Sequence, residues 1–169
     1  MDTKETDDYF DFEKFKEFDR LCKIEEIFDR PIILTRQTAD EITAAFDIEH
    51  YYYSNTIHGT TKINYYNKSE YVLGLLNSKL DTWYYRQMIA KESKTFSQVK
   101  IEFLRLLPIY KLSVGQQQPI IELVKQILAV KKENPATDIV SQESEIDILV
   151  YDLYGLTEEE INILEGKWA

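Results

Sequence analysis

Apolar positions change period three times along the chain. Within residues 2–29, Phe15, Phe18, Leu21 and Cys22 recur at three- and four-residue spacing, so they share a helical face in an acidic, aromatic-rich lead-in. From Pro31 the period shortens. Residues 32–35, Ile-Ile-Leu-Thr, form a β-branched run behind a proline and predict a strand. Residues 42–46, 51–53 and 56–61 are further strand candidates, parted by Asp47, Glu49, Ser54 and Asn55. Residues 38–41 read as a turn or short helical excursion, and Gly59 admits a bulge or a close backbone approach.

Helical spacing then returns. Ser69 is placed to cap a helix over 71–77, and Ser78 one over 79–88, with Leu73, Leu76, Leu80, Trp83 and Tyr84 on one stripe. A polar loop over 90–95 leads to an alternating segment, 96–101, that predicts another strand, and 106–109 reads as extended before and through Pro108. The last third is helical. Pro119 in a first turn predicts a helix from about 116–118, facing the core with Ile120, Val124, Ile127 and Leu128 and stopped by Asn134-Pro135. A second helix carries Ile139, Ile146, Leu149, Val150 and Leu153 and ends at Gly155. Thr157 and Glu160 have capping-box spacing for a short third helix that ends near Gly166. The order of elements is α+β: a small mixed β/α globule followed by a C-terminal helical region of about three helices.

Charge refines that division. The net of -10 is unevenly spread. Residues 1–29 carry 5 basic and 11 acidic side chains, residues 30–112 carry 11 and 8, and residues 113–169 carry 4 and 11. A mildly basic middle therefore sits between two acidic ends, and the local field decides where an anion docks. The expected organisation is a connector at 1–29, a globule at 30–112 and the helical region at 113–169. One cysteine, Cys22, cannot close an internal disulfide, and no leader or bilayer-length apolar run is apparent. A soluble, cytoplasmic protein without a membrane partner is the expectation.

Catalytic motifs are scarce. Two histidines, His50 and His58, and one cysteine do not make a zinc site. Nucleophile elbow, Walker loop and dinucleotide fingerprint are missing, as is a Gly-rich turn to hold an adenosyl cofactor. Asn134-Pro135-Ala136-Thr137 approaches the Asn-Pro-Pro-aromatic motif of amino-methyltransferases but lacks its second proline and its stacking ring. Asp81 with Glu92-Ser93-Lys94 has the carboxylate–carboxylate–lysine order of metal-dependent nucleases, yet Asp81 falls inside a helix pattern. Neither a metal nor a catalytic residue is expected in this chain. The polar, aromatic middle is richer: Arg pairs with guanine, Asn and Gln with adenine, and Tyr stacks or holds phosphate. Cross-strand Tyr packing on a solvated sheet face would account for the same residues.

The order of segments, from Arg30-Pro31-Ile32-Ile33-Leu34 through Leu75-Leu76-Asn77-Ser78-Lys79-Leu80 to Tyr154-Gly155-Leu156-Thr157, resembles a known family, the TaqI-like C-terminal specificity domain of bacterial restriction–modification methyltransferases, and more distantly the target-recognition domains of type I specificity subunits. The resemblance rests on Arg30-Pro31-Ile32-Ile33-Leu34-Thr35-Arg36, the segment 51–58, and Leu73-Gly74-Leu75-Leu76-Asn77-Ser78-Lys79-Leu80 running into Trp83-Tyr84-Tyr85. It continues through Leu106-Leu107-Pro108-Ile109, Gln116-Gln117-Gln118 before Pro119, Lys131-Lys132-Glu133-Asn134-Pro135, and the tail 145–161 with its Tyr154-Gly155-Leu156-Thr157 block. It spans about residues 28–165. It implies a target-recognition globule plus helices, cut from a parent that methylates adenine N6 with S-adenosylmethionine bound in an upstream domain, in some cases with a fused nuclease. This chain would then bind double-stranded DNA without modifying it.

Within that reading, Arg36, Gln37, Ser54, Asn55, His58, Thr60, Ser97 and Gln98 are the candidates for base contacts, Lys62, Lys68, Lys94 and Lys100 for phosphates, and Tyr53 is a further DNA-binding candidate through stacking or a phosphate bond. These residues are chosen by chemistry and context rather than carried over from the family. Three rivals compete: an acidic DNA mimic that inhibits restriction enzymes, a small metal-dependent nuclease built on Asp81, and a protein-interaction module using the apolar helices.

Overall fold

The computed structural model describes residues 32–39, 41–49, 51, 53, 55–60, 68–90 and 98–167. The helix expected in the lead-in, 2–29, lies outside these residues. So does most of the loop expected over 90–95.

Three strands form one antiparallel sheet in the order β2-β1-β3: β1 (Ile32–Arg36), β2 (Ala44–Asp47) and β3 (Ile57–Thr60). Ile33 lies opposite Phe46 on one side and Thr60 on the other, while Leu34 lies opposite Ala45 and Gly59. Because side chains alternate, that register gives the sheet two unlike faces. Ile33, Thr35, Ala44, Phe46, His58 and Thr60 point one way, and the fully buried Ile33 joins the hydrophobic core there. Leu34, Arg36, Ala45, Ile57 and Gly59 point the other way. β2 and β3 both run antiparallel to β1, so the 48–56 connection must travel from one end of the sheet to the other. Asp47 anchors its start: one carboxylate oxygen accepts from the Glu49 N–H at 3.0 Å and the other from the Tyr51 N–H at 2.9 Å. Tyr51 and Tyr53 belong to this connection and are not in a strand, contrary to the strand expected at 51–53. With Asp47 taking up their neighbouring N–H groups, the chain turns away from the ladder.

Among the described residues six helices follow: α1 (Ser69–Leu76), α2 (Lys79–Ala90), α3 (Ile101–Leu104), α4 (Val114–Glu133), α5 (Val140–Tyr154) and α6 (Glu158–Leu164). Helix α1 is buried all round from Tyr71 to Leu76, which is the pattern of a central helix. Gly74 explains how closely α4 approaches: a Cβ there would lie 2.6 Å from Ile120 Cγ2 and 3.2 Å from Val124 Cγ2. Lys68, not Ser69, is the N-cap of α1, and its N–H donates to the buried Gln117 Oε1 at 2.9 Å. Ser78 does cap α2, accepting from the Asp81 N–H at 3.3 Å. Asn77, between the two helices, meets the outer edge of β2 with its amide, accepting from Ala44 N–H and donating to Ala44 O. That amide occupies strand-edge groups open to pairing.

The helical region departs from expectation at one start. Helix α4 begins at Val114, capped by a Ser113–Gln116 box, so Pro119 sits inside it rather than in the first turn. The carbonyl that loses its donor to Pro119, that of Gly115, belongs to an exposed residue, so the missing bond is not buried. The stop before Asn134, the left-handed Gly155 (φ 65°) behind α5 and the Thr157–Glu160 box of α6 all form as expected. The strand expected at 96–101 is replaced, within its described part, by a single bridge from Gln98 to Thr38, a buried Val99, and the start of α3 at Ile101. One core joins the sheet, α1, α2 and the later helices across residues 112–113.

Candidate nucleic-acid interface

Three segments far apart in sequence meet at the Arg36 end of the sheet. The Gln37 N–H donates to Thr56 O at 2.8 Å, and Gln37 O accepts from the Val99 N–H at 2.6 Å. Val99 O in turn accepts from His58 Nε2 at 2.7 Å. The hydroxyl of Tyr85, on α2, donates to Gln98 O at 2.8 Å and accepts from the Lys100 N–H at 2.9 Å. Burial raises the pKa of that phenol, while the Lys100 N–H pulls the other way. The strip 98–100 is therefore pinned from both sides, mostly by side-chain bonds to its backbone rather than by a strand ladder.

This junction gathers Arg36, Gln37, Asn55, His58, Gln98 and Lys100 from the sequence-based candidates. Arg36, Asn55, Gln98 and Lys100 are exposed around it, and Gln37 is half-buried. Arg36 makes no ion pair with another described residue. Lys100 Nζ lies 3.7 Å from Glu102 and 5.5 Å from the Phe103 ring centroid, a site of mixed charge and cation–π contact. His58 is differently placed. It points to the helix-packed face and spends Nε2 on Val99, so its built role is to hold the strip. Thr60 lies at the opposite end of β3, across from Ile33, and Lys68 is the N-cap residue of α1, with its N–H on Gln117. Tyr53 lies over the outer face, its hydroxyl occupying the space a Cβ on Gly59 would need. Ser54, Lys62, Lys94 and Ser97 lie outside the described residues.

The outer face also holds a depression of about 530 Å³ that single-residue chemistry did not reveal. Leu34, Ala45 and Ile57 form its apolar part, and Arg36, Thr38, Thr43 and Thr56 stand around them. The signal was present in the period-two alternation of Leu34 and Arg36 on β1. Only the register brings Ala45 and Ile57 beside them.

Of the five glycines, Gly59 is in β3, Gly74 in α1, Gly115 in the first turn of α4, and Gly155 and Gly166 lie behind α5 and α6. None forms the strand-to-helix turn that cradles an adenosyl group, so these residues do not fit S-adenosylmethionine. Among the described residues no three His, Cys, Asp or Glu side chains cluster to hold a metal ion. Asp81, the first member of the nuclease-like triplet, is 1% exposed in α2, and neither carboxylate oxygen finds a hydrogen-bond partner. Burial raises its pKa from 3.8 to about 7. The remaining triplet members, Glu92 and Lys94, lie outside the described residues.

Residues 1–109 match the family model of the TaqI-like C-terminal specificity domain. The chain belongs to this family. The specificity domain's role, DNA target recognition in restriction–modification systems, agrees with a junction of exposed hydrogen-bonding side chains on a small sheet. The matched span includes all three strands and α1 to α3 and ends before α4, so the tail resemblance at 145–161 lies beyond it. No curated protein and no solved structure shows significant similarity to the chain. Among the described residues, no helix of this specificity domain is long and apolar enough to cross a membrane.

Proposed function

We propose that this specificity domain reads a specific double-stranded DNA sequence for a restriction–modification methyltransferase that modifies adenine N6. S-adenosylmethionine and the chemistry would reside in a methyltransferase domain upstream of this chain, and a nuclease fused to that parent is compatible with the reading. Residues 1–29 would connect to the upstream domain, 30–112 would meet the DNA, and 113–169 would buttress it from behind. That last division is one of role, since the core is continuous across it.

The observation that carries this reading is the meeting of 36–38, 55–58 and 98–100 at one end of the sheet, with Arg36, Asn55, Gln98 and Lys100 exposed there, in a chain of this family. Arg36, Gln37, Asn55 and Gln98 would approach base edges from there, with Tyr53 beside them and Lys100 on a phosphate. Arg is suited to two parallel bonds to guanine, and Asn or Gln to adenine. His58 and Thr60 support the surface in this reading, and Ser54, Lys62, Lys94 and Ser97 remain candidates by sequence. The test is binding of the chain to labelled duplex DNA across a salt series. Target recognition predicts binding that falls as salt rises and that a preferred sequence resists better than a scrambled one. Binding to a restriction enzyme in place of DNA would support the mimic. Magnesium-dependent nicking of plasmid that Asp81→Ala abolishes would support the nuclease.

A further inference from the structure

The depression on the outer sheet face is badly suited to a phosphate. Among the described residues that line it, Arg36 is the one cation, and the surface beneath it is apolar. Phosphate contacts are made by Lys and Arg groups, by hydroxyl and amide side chains and by clustered N–H donors; here the hydroxyls of Thr38, Thr43 and Thr56 stand around the border, and Leu34, Ala45 and Ile57 present hydrocarbon between them. Register fixes that composition. Leu34 and Arg36 share a face by alternation, with Ala45 opposite Leu34 and Ile57 opposite Arg36. Ala45 is small and exposed, so the hydrocarbon stays open to a ligand. Thr38 and Thr43 each add a methyl and a hydroxyl at the border.

In the major groove one base edge carries a projecting hydrocarbon: thymine, through its 5-methyl group. Alanine and threonine methyls are the side chains that contact it, and an arginine alongside pairs with guanine O6 and N7. We propose that this depression is a methyl-reading subsite, which takes the 5-methyl of a thymine adjacent to a guanine held by Arg36. The proposal rests on the target-recognition reading and narrows it. At about 530 Å³ the depression has room for the edge of a base pair around that methyl. Leu34, Ala45 and Ile57 thereby become specificity-determining residues, although none carries a polar group.

The test begins with selection by the full chain from a pool of duplexes with a randomised centre. The enriched sequence is then synthesised with deoxyuridine replacing each thymidine in turn, which removes only the 5-methyl. Replacement at one thymine next to a guanine should weaken binding about fourfold, the worth of one buried methyl-sized group. Ala45→Gln, at an exposed position, should fill the depression and erase that penalty. An enriched sequence that tolerates uracil at every position, or a penalty that Ala45→Gln leaves unchanged, overturns the methyl subsite and leaves target recognition standing. Failure to enrich any sequence overturns target recognition and the subsite together.

Discussion

His58 Nε2 donates to the main-chain carbonyl of Val99, 41 residues later, across 2.7 Å. A carbonyl only accepts, so the ring proton resides on Nε2. Val99 is fully buried, and removing its donor leaves the carbonyl without that bond. His58→Phe should therefore cost about 1–3 kcal/mol of stability. Urea denaturation checks the size, and faster amide exchange at Val99 and Lys100 checks the place. Both changes are expected without any DNA present.

Arg36 and Lys100 should respond differently to substitution. Arg36→Ala should narrow the gap between the preferred and a mismatched duplex by about 1–3 kcal/mol, the worth of a bidentate base contact. Lys100→Ala should weaken both duplexes alike and flatten the salt dependence by about one ion. Competition titrations at two salt concentrations separate the outcomes.

Gly59 offers a substitution that separates binding from folding. A Cβ there would lie 1.8 Å from the Tyr53 hydroxyl, the far end of a flexible side chain that must move aside. Gly59→Ala should change stability by less than about 1 kcal/mol, because an interior-strand glycine is itself unfavourable by roughly that amount. It should nonetheless lower DNA affinity by displacing Tyr53 from the sheet. Thermal melting and a duplex titration on the same sample test both halves.

Asp81 sets a pH dependence. Its carboxyl has a pKa of about 7 when folded, raised by burial, against 3.8 for the ordinary group. Between these values the folded protein keeps a proton that the unfolded chain has released. Stability from this group is therefore greatest below about pH 4, falls as pH rises through the window, and is fully lost above about 7. Three units correspond to roughly 4 kcal/mol. Asp81→Asn cannot ionise, so its stability relative to the parent chain should increase from pH 4 to pH 7 and then level off. Urea midpoints of the two proteins at pH 5 and pH 8 measure that difference.

Gly74 makes room for α4. Gly74→Ala places a methyl 2.6 Å from Ile120 Cγ2, and the helices must part or the isoleucine must move. The expected loss is about 1–3 kcal/mol, less whatever helix propensity alanine returns. Calorimetry of the single variant, and of Gly74→Ala combined with Ile120→Val, should show partial rescue by the smaller partner.

Much of the fold could be read from local pattern. Strand β1 follows from a β-branched run, and the Gly155 stop and the Thr157–Glu160 box are signals carried by neighbouring residues. The errors fell where long-range bonds outweighed such signals. Residues 96–101 alternate like a strand, but in the described part, from Gln98 on, Val99 is held by Gln37, His58 and the Tyr85 clamp on its neighbours, which leaves it no ladder to join. The start of α4 is a different case, since one local signal, the Ser113–Gln116 box, outweighs another, Pro119. The glutamine run was legible as sequence, yet its meaning is divided: Gln116 caps, Gln117 ties α1 to Leu112, and Gln118 reaches Glu122. For the interface, residue type alone grouped Arg36 with His58. Register set them on opposite faces of the sheet, and no local signal encodes that.

Two of the bonds that knit the interface, Gln37 N–H to Thr56 O and Val99 N–H to Gln37 O, involve only main-chain atoms. Such bonds are indifferent to what projects from positions 36, 37, 55 or 98. Under the proposed function, the side chains there are interchangeable fittings on a permanent mount, and swapping them would give a lineage a new target sequence while its architecture stayed put.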